Sequence, residues 1–511
     1  MTLLGALIKR GITLGDRLSK TILPPALQQS RTLYKLLLQA QFTRFGKHHK
    51  FHKILADAES IKAFQQQVPI SDYDDMYSEW WHLNLKNKAN VTWPGKAPFY
   101  ALSSGTSGSP SKYIPLTGDL QRNMFRAGLR MFFSLRKYKL PADQFTRKML
   151  MVGGSTDLQN LGEYQVGDLS GINASKPPSW MAGYYKPGLE IAKINDWDSR
   201  IDEIAKNAPQ WDIGFISGIP AWVQLTIERV CEYHKVKYIH DIWPNLRVFA
   251  HGGVFIEPYK KSFSKLFNKK VHFIDSYLAS EGFIAYQNDP DDSSMRMVLN
   301  QGNFYEFLPL TAENFSVDGK VNRKAQTLTV EQVEEGVDYA LIMSTCGGAW
   351  RYLIGDVVRF TDKAHAKIII TGRTKHYLSI CGEHLSVDNM NQAIQFVSDK
   401  FNIAIPEYTV CGEEAETYFR HHWIIGCDYA ADAQLVIDEI DKFLSEVNDD
   451  YRTERKSVLK NPVIEIVPTS NFYDFLEQSG KSTGQSKFPR VMKTDTFTTF
   501  LDFIKAEAVT K

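Results

Sequence analysis

Trp211-Asp-Ile-Gly-Phe-Ile-Ser-Gly-Ile-Pro-Ala-Trp-Val-Gln-Leu-Thr-Ile-Glu-Arg-Val230 is the stretch that decides the fold. Trp211 to Ile216 is a short, mostly apolar run and predicts a strand. Pro220 to Val230 predicts a helix, with proline in the first turn, where its missing N–H breaks no bond. Working outward, Leu246-Arg-Val-Phe-Ala250 reads as the next strand, Glu257 to Phe267 as a helix, and Val271-His-Phe-Ile-Asp275 as a further strand. This β-α-β-α-β succession favours parallel pairing, with ligand loops at the strand ends. The large N-terminal region is therefore predicted to be α/β with parallel-rich sheets.

The rhythm changes near Gly372. Beyond it come an amphipathic helix near Asp388 to Lys400, strands around Glu407 to Cys411 and Trp423 to Cys427, a helix near Leu435 to Val447 and a strand at Val463 to Val467. These predict a smaller α+β domain, placing a large domain over 1–373 and a small one over 374–511. Between them, Thr371-Gly-Arg-Thr-Lys-His-Tyr377 has no apolar periodicity and reads as a hinge.

A chain of 511 residues with 43% hydrophobic and 23% charged residues has material for more than one packed core and no composition of disorder. Sixty Lys and Arg against 58 Asp and Glu leave a formal charge of +2, so nucleic acid is not an expected partner. Five cysteines without a C-x-x-C pair fit reduced thiols. The opening residues read as an amphipathic helix, with charges misplaced for a secretory signal, and no apolar run is long enough for a membrane span. A cytoplasmic location is expected.

Four motifs bear on chemistry. Leu102-Ser-Ser-Gly-Thr-Ser-Gly-Ser-Pro-Ser-Lys112 packs hydroxyls and glycines into one loop, in which Ser103, Ser104, Thr106 and Ser107 can donate to phosphate oxygens; the alternative is a plain surface loop. It is not a Walker A loop, because Pro110-Ser-Lys112 replaces the required Gly-Lys-Ser/Thr. In Asp275-Ser-Tyr-Leu-Ala-Ser-Glu-Gly282, Tyr277 offers a face to a base, Ser280 a hydroxyl and Glu281 a hard oxygen for Mg²⁺. The alternative is a helix start capped by Ser280. Trp350-Arg-Tyr-Leu-Ile-Gly-Asp356 places a carboxylate after glycine in an expected tight turn, where Asp356 can accept bonds from ribose hydroxyls or serve the turn alone. Gly484-Gln-Ser-Lys-Phe-Pro-Arg490 carries Lys487 in a polar loop.

In this order the motifs resemble those of the GH3 family of acyl acid-amido synthetases, a branch of the adenylate-forming ligases. The wording around Trp350 and Gly372 is closer to bacterial members, and Leu353 stands where plant members commonly carry arginine. The resemblance implies a mobile C-terminal domain and two steps: ATP-dependent adenylation of a carboxylic acid with release of pyrophosphate, then transfer of the acyl group to an amino-acid amine. It further implies Mg²⁺ on Glu281, adenine flanked by Tyr277 and the backbone of Gly252-Gly253, ribose on Asp356, Arg373 reaching ribose or phosphate, and Lys487 acting in adenylation. An acyl-CoA ligase and a non-catalytic nucleotide-binding protein on the same fold are the alternatives.

Other candidates carry less. Lys47-His-His-Lys-Phe-His52 sits among lysines that repel a metal ion, and His421 and His422 alternate across a strand, so they cannot readily share one. Trp180, Tyr184 and Tyr185 either line an acyl pocket or simply pack.

Overall fold

A computed structural model describes residues 2–19, 23–103, 112–177, 181–253, 256–311, 313–315, 320–374, 377–378, 380–381, 383, 385–415, 418–478, 488–492 and 494–510. The chain forms two compact units, one of residues 1–102, 113–219 and 226–374, the other of 103–112, 220–225 and 375–511.

In chain order the first fifteen strands are β1 (Phe99–Ser103), β2 (Lys112–Leu116), β3 (Lys148–Val152), β4 (Gln159–Asn160), β5 (Gln165–Gly167), β6 (Tyr185–Lys186), β7 (Ile213–Gly218), β8 (Val248–Gly252), β9 (His272–Ala279), β10 (Gly282–Gln287), β11 (Met295–Met297), β12 (Asn303–Pro309), β13 (Asp338–Thr345), β14 (Tyr352–Asp362) and β15 (Lys367–Arg373). Eleven make one sheet in the order β12-β13-β14-β15-β11-β10-β9-β8-β7-β3-β6, and four make a second, β2-β1-β5-β4.

The predicted strand-helix alternation supplies the parallel half of the large sheet. β6, β3, β7, β8 and β9 run parallel, with the helices Pro220–His234 and Glu257–Leu266 as crossovers. β7 begins with four buried residues in succession, the pattern of a strand covered on both faces. From β9 onward the sheet is antiparallel. The periodicity did not predict this half, which begins with the two-residue turn Ser280-Glu281 and again reverses direction between β14 and β15. β15 also continues through Arg373, so the expected hinge begins inside a strand.

One buried ion pair ties the 60s to this sheet. Arg351 meets Glu306 at 3.0 Å, both almost fully buried, and donates to the carbonyls of Gln65 at 2.6 Å and Val68 at 2.7 Å and to Thr327 Oγ1 at 2.8 Å. A guanidinium enters an interior at tolerable cost only when its donors are satisfied in this way. The arrangement pins the backbone immediately before Tyr352, which Ser71 brackets with bonds to Arg351 and Leu353.

The smaller unit has a three-stranded sheet of Glu407–Ala415, Tyr418–Gly426 and Val463–Val467. The helices Val387–Phe401 and Ala433–Val447 lie where expected. Ser470–Gln478 and Thr494–Thr510 are further helices, and Phe472, Phe475, Phe497 and Phe500 build an aromatic core between the helices and the sheet. His421 and His422 serve different carboxylates: His421 Nε2 meets Glu383 at 2.9 Å, whereas His422 meets Glu413 at 2.7 Å and Glu465 at 3.3 Å.

Glu383 is fully buried and also accepts from the backbone N–H groups of Ile380 and Cys381. Burial opposes its ionisation, but the hydrogen bond and charge of His421 and these N–H groups outweigh it and pull the carboxyl down to about 2. A carboxyl depressed in the folded state contributes stability that is present above its unfolded value, about 4.5, and is lost as pH falls toward 2. Glu383→Gln is therefore expected to flatten the acid limb of the stability profile in that window. Denaturant midpoints followed against pH check this; an acid limb of unchanged slope would contradict it.

Candidate active site

β8 and β9 approach so closely that a Cβ on Gly252 would lie 2.3 Å from the carbonyl oxygen of Ser276, its register partner. Only glycine fits there, which leaves bare backbone at the end of β8. Gly253 follows with φ of +84°.

The sequence allowed a strand ending at Asp275 and a helix start at Ser280. Instead β9 runs to Ala279 and turns at Ser280-Glu281 directly into β10, so the capped-helix reading is replaced by a β-hairpin. Tyr277 thus lies within a strand, 6% exposed, packed with Ile284, Met295 and Tyr305. Its hydroxyl donates to Asp356 Oδ2 at 2.5 Å. Glu281, 8% exposed at the hairpin tip, accepts a hydrogen bond from the fully buried Tyr352. Burial, followed by the charge of Glu281, pushes the Tyr352 phenol well above its usual range, so it is a donor at any physiological pH.

Asp356 is 6% exposed and stands inside β14. The expected tight turn is a local irregularity instead: Gly355 adopts φ of +96° and its carbonyl accepts from Thr374 N–H, while the strand continues to Asp362. The left-handed backbone favours glycine at this position. Across the ladder Asp356 pairs with Arg373.

Four strand spacings separate β9 from β14 in the sheet order, or about 19 Å in a flat sheet. The Tyr277–Asp356 bond therefore requires the sheet to curl back around the apolar cluster that contains Ile284, Leu341, Val358 and Ile368. That curl joins the second and third motifs, Tyr277 to Asp356 and Glu281 to Tyr352; Arg373 meets Asp356 separately, as its register partner on the adjacent strand β15. Ser280 is half-buried beside Glu281. Ser103 closes β1; Ser104, Thr106, Ser107 and Lys487 lie outside the described residues, as does Trp180. Tyr184 is exposed, and Tyr185 belongs to the edge strand β6, paired with Met149.

Tyr352, which the motif contained but its spacing did not single out, holds Glu281 through its hydrogen bond. His251 and Asp275 are register partners 3.5 Å apart beside Gly252. Burial, followed by the charge of Lys260, lowers His251 to about 3, and burial raises Asp275 to about 6.

Among the described residues no three His, Cys, Asp or Glu side chains converge as a metal cage. Magnesium ordinarily takes one or two carboxylates and completes its shell with water and substrate phosphates. A single buried carboxylate at a strand-end turn, Glu281, fits that requirement. No helix among the described residues is long and apolar enough to cross a membrane.

The fold is shared with adenylate-forming ligases. A GH3.15 acyl acid amido synthetase superposes with a TM-score of 0.59 at 16% identity, covering 98% of this chain and 96% of its own. A 2-hydroxyisobutyryl-CoA ligase superposes with a TM-score of 0.53 at 12% identity, covering 94% and 93%. Residues 16–202, 296–370 and 388–496 match the GH3 family N-terminal, central and C-terminal domains, and the chain belongs to the GH3 family. The 4-substituted benzoates-glutamate ligase GH3.12 of Arabidopsis thaliana is 21% identical over 544 residues, covering 90% of this chain and 92% of the relative. Matches to plant indole-3-acetic acid-amido synthetases span only 29% to 55% of those relatives' lengths.

Proposed function

We propose that this protein uses ATP and Mg²⁺ to adenylate a carboxylic acid and then transfers the acyl group to the amine of an amino acid. The observation that carries the reading is the Tyr277–Asp356 bond, which brings two of the family's nucleotide motifs to one point. In the first step a carboxylate oxygen bonds to the α-phosphorus while the bond to pyrophosphate breaks. In the second the amine attacks the acyl carbonyl, AMP leaves, and the amine gives up a proton.

Both reactants of the first step are anions, so the site must supply donors and positive charge where charge gathers. Glu281 would hold Mg²⁺, which when bound would supply part of that charge. Ser103, Ser104, Thr106 and Ser107 would donate to phosphate oxygens, and Lys487 would supply the cation. Asp356 would accept from the ribose hydroxyls, with its carboxylate oriented by the Tyr277 hydroxyl; Tyr277 and the backbone of Gly252 and Gly253 would flank adenine, and Arg373 would reach ribose or phosphate. The domain boundary at 373/374, a turn of the C-terminal part between half-reactions, and a cytoplasmic location suited to five unpaired cysteines belong to the same proposal.

Tyr277→Phe removes one hydrogen bond to Asp356 and is expected to raise the KM for ATP about fivefold, the equivalent of about 1 kcal/mol, with little change in kcat. Steady-state kinetics over ATP concentration check this; an unchanged KM would separate Tyr277 from nucleotide binding.

The product test uses ATP, Mg²⁺ and a panel of aryl, indolyl and fatty acids with a mixture of amino acids. An amide detected by mass, formed with equal AMP and pyrophosphate, is the expected outcome. A thioester formed with coenzyme A and no amide would make the protein an acyl-CoA ligase. Neither product with any acid would leave a nucleotide-binding protein.

A further inference from the structure

A cavity of about 310 Å³ in the large unit lies among the N-terminal helices, the end of the helix Gly118–Ser134 and strands β10, β11 and β15. Several charged groups of its wall are matched. Lys137 pairs with Asp289 at 2.9 Å and His365 with Asp362 at 2.7 Å; Lys367 pairs with Asp292, and Asp16 with Arg136. Arg130 and Arg296 differ: among the described residues, neither guanidinium has a carboxylate partner. Among the described residues, Arg130 donates to the neutral side-chain oxygen of Asn300. Both act on the same phenol, Tyr286, and on each other. Burial, reinforced by the Arg296 charge, lowers the proton affinity of Arg130. The same wall holds Asn288 Oδ1, a buried acceptor without a partner among the described residues.

Two neighbouring cations drawn partly out of water destabilise one another, and a bound anion removes both the repulsion and the lost solvation. We propose that this cavity is an anion site separate from the adenylation centre, taking a phosphate group either free or as the head of a small phosphoester. Guanidinium forks match phosphate oxygens in pairs. Asn288 Oδ1 can accept from a P–OH or a sugar hydroxyl, and the volume exceeds that of phosphate alone. An adjoining groove shares Gln28 and Asn300 and adds Arg31, Lys35 and Arg126, which raises the local potential for anions. Tyr286 stands five residues along β10 from Glu281, roughly 17 Å at the usual rise of a strand. The inference therefore stands apart from the proposed reaction.

Isothermal titration of the full chain with inorganic phosphate and with glucose 6-phosphate, without nucleotide and at fixed ionic strength, tests it. Both are expected to bind, and Arg296→Gln and Arg130→Gln are each expected to weaken binding roughly tenfold or more, with Arg130→Lys between. Arg296 is half-buried and has no protein partner among the described residues, so its variant keeps the test open should Arg130→Gln fold poorly. Tighter binding of the sugar phosphate would assign the site to a phosphoester, and equal binding to the free ion; either sustains it. No binding up to about 10 mM, or affinity unchanged in Arg296→Gln, would overturn the proposal.

Discussion

Glu281→Gln is expected to slow carboxylate-dependent pyrophosphate release roughly a hundredfold or more, about 3 kcal/mol, because in the proposed site it would remove a hard anionic ligand from the place where two polyanions must meet. Glutamine is the informative replacement. Its side-chain oxygen can still accept from Tyr352, so the buried phenol keeps a partner; alanine would orphan that hydroxyl and mix a stability loss of about 1–3 kcal/mol into the result. The loss should shrink as Mg²⁺ is raised. A rate unchanged at limiting Mg²⁺ would reduce Glu281 to a hairpin-turn residue.

Lys487→Ala is expected to slow adenylate formation by roughly a hundredfold while leaving the use of preformed acyl-adenylate within a few-fold of wild type. In the proposed role its positive charge would be needed while charge builds on the α-phosphate and the departing pyrophosphate. The attack of a neutral amine on the acyl carbonyl makes no such demand. Single-turnover assays of the two half-reactions separate them. Equal loss in both would assign Lys487 to general structure or to substrate binding common to both steps.

The strand-helix alternation from Trp211 to Asp275 was legible because each crossover helix carries its own signals, such as Pro220 in the first turn. The antiparallel half was not. β12 and β13 are buried almost without interruption, and a continuous apolar run has no period to distinguish strand from helix. Ser280-Glu281 was ambiguous for a related reason: a short polar pair after a strand serves as a helix cap or as a hairpin turn, and only pairing with β10 decides.

The residues of the candidate site stood out as motifs, but the bonds among the described ones did not. Tyr277 and Asp356 are 79 residues apart and meet because the sheet curls. Tyr352 stands within a motif, yet its hydrogen bond to Glu281 depends on the backbone held by Arg351 and Ser71. Arg130, Tyr286 and Arg296 come from a helix and two strands, and no local pattern in the sequence unites them.

The central claim is reversible formation of an acyl-adenylate, and the exchange of labelled pyrophosphate into ATP measures it directly, without any acceptor present. With Mg²⁺ and a panel of carboxylic acids, the account predicts exchange that depends on at least one acid, falls roughly a hundredfold or more in Glu281→Gln at limiting Mg²⁺, and needs no amino acid. A folded protein that binds ATP yet shows no acid-dependent exchange with any member of the panel would contradict it.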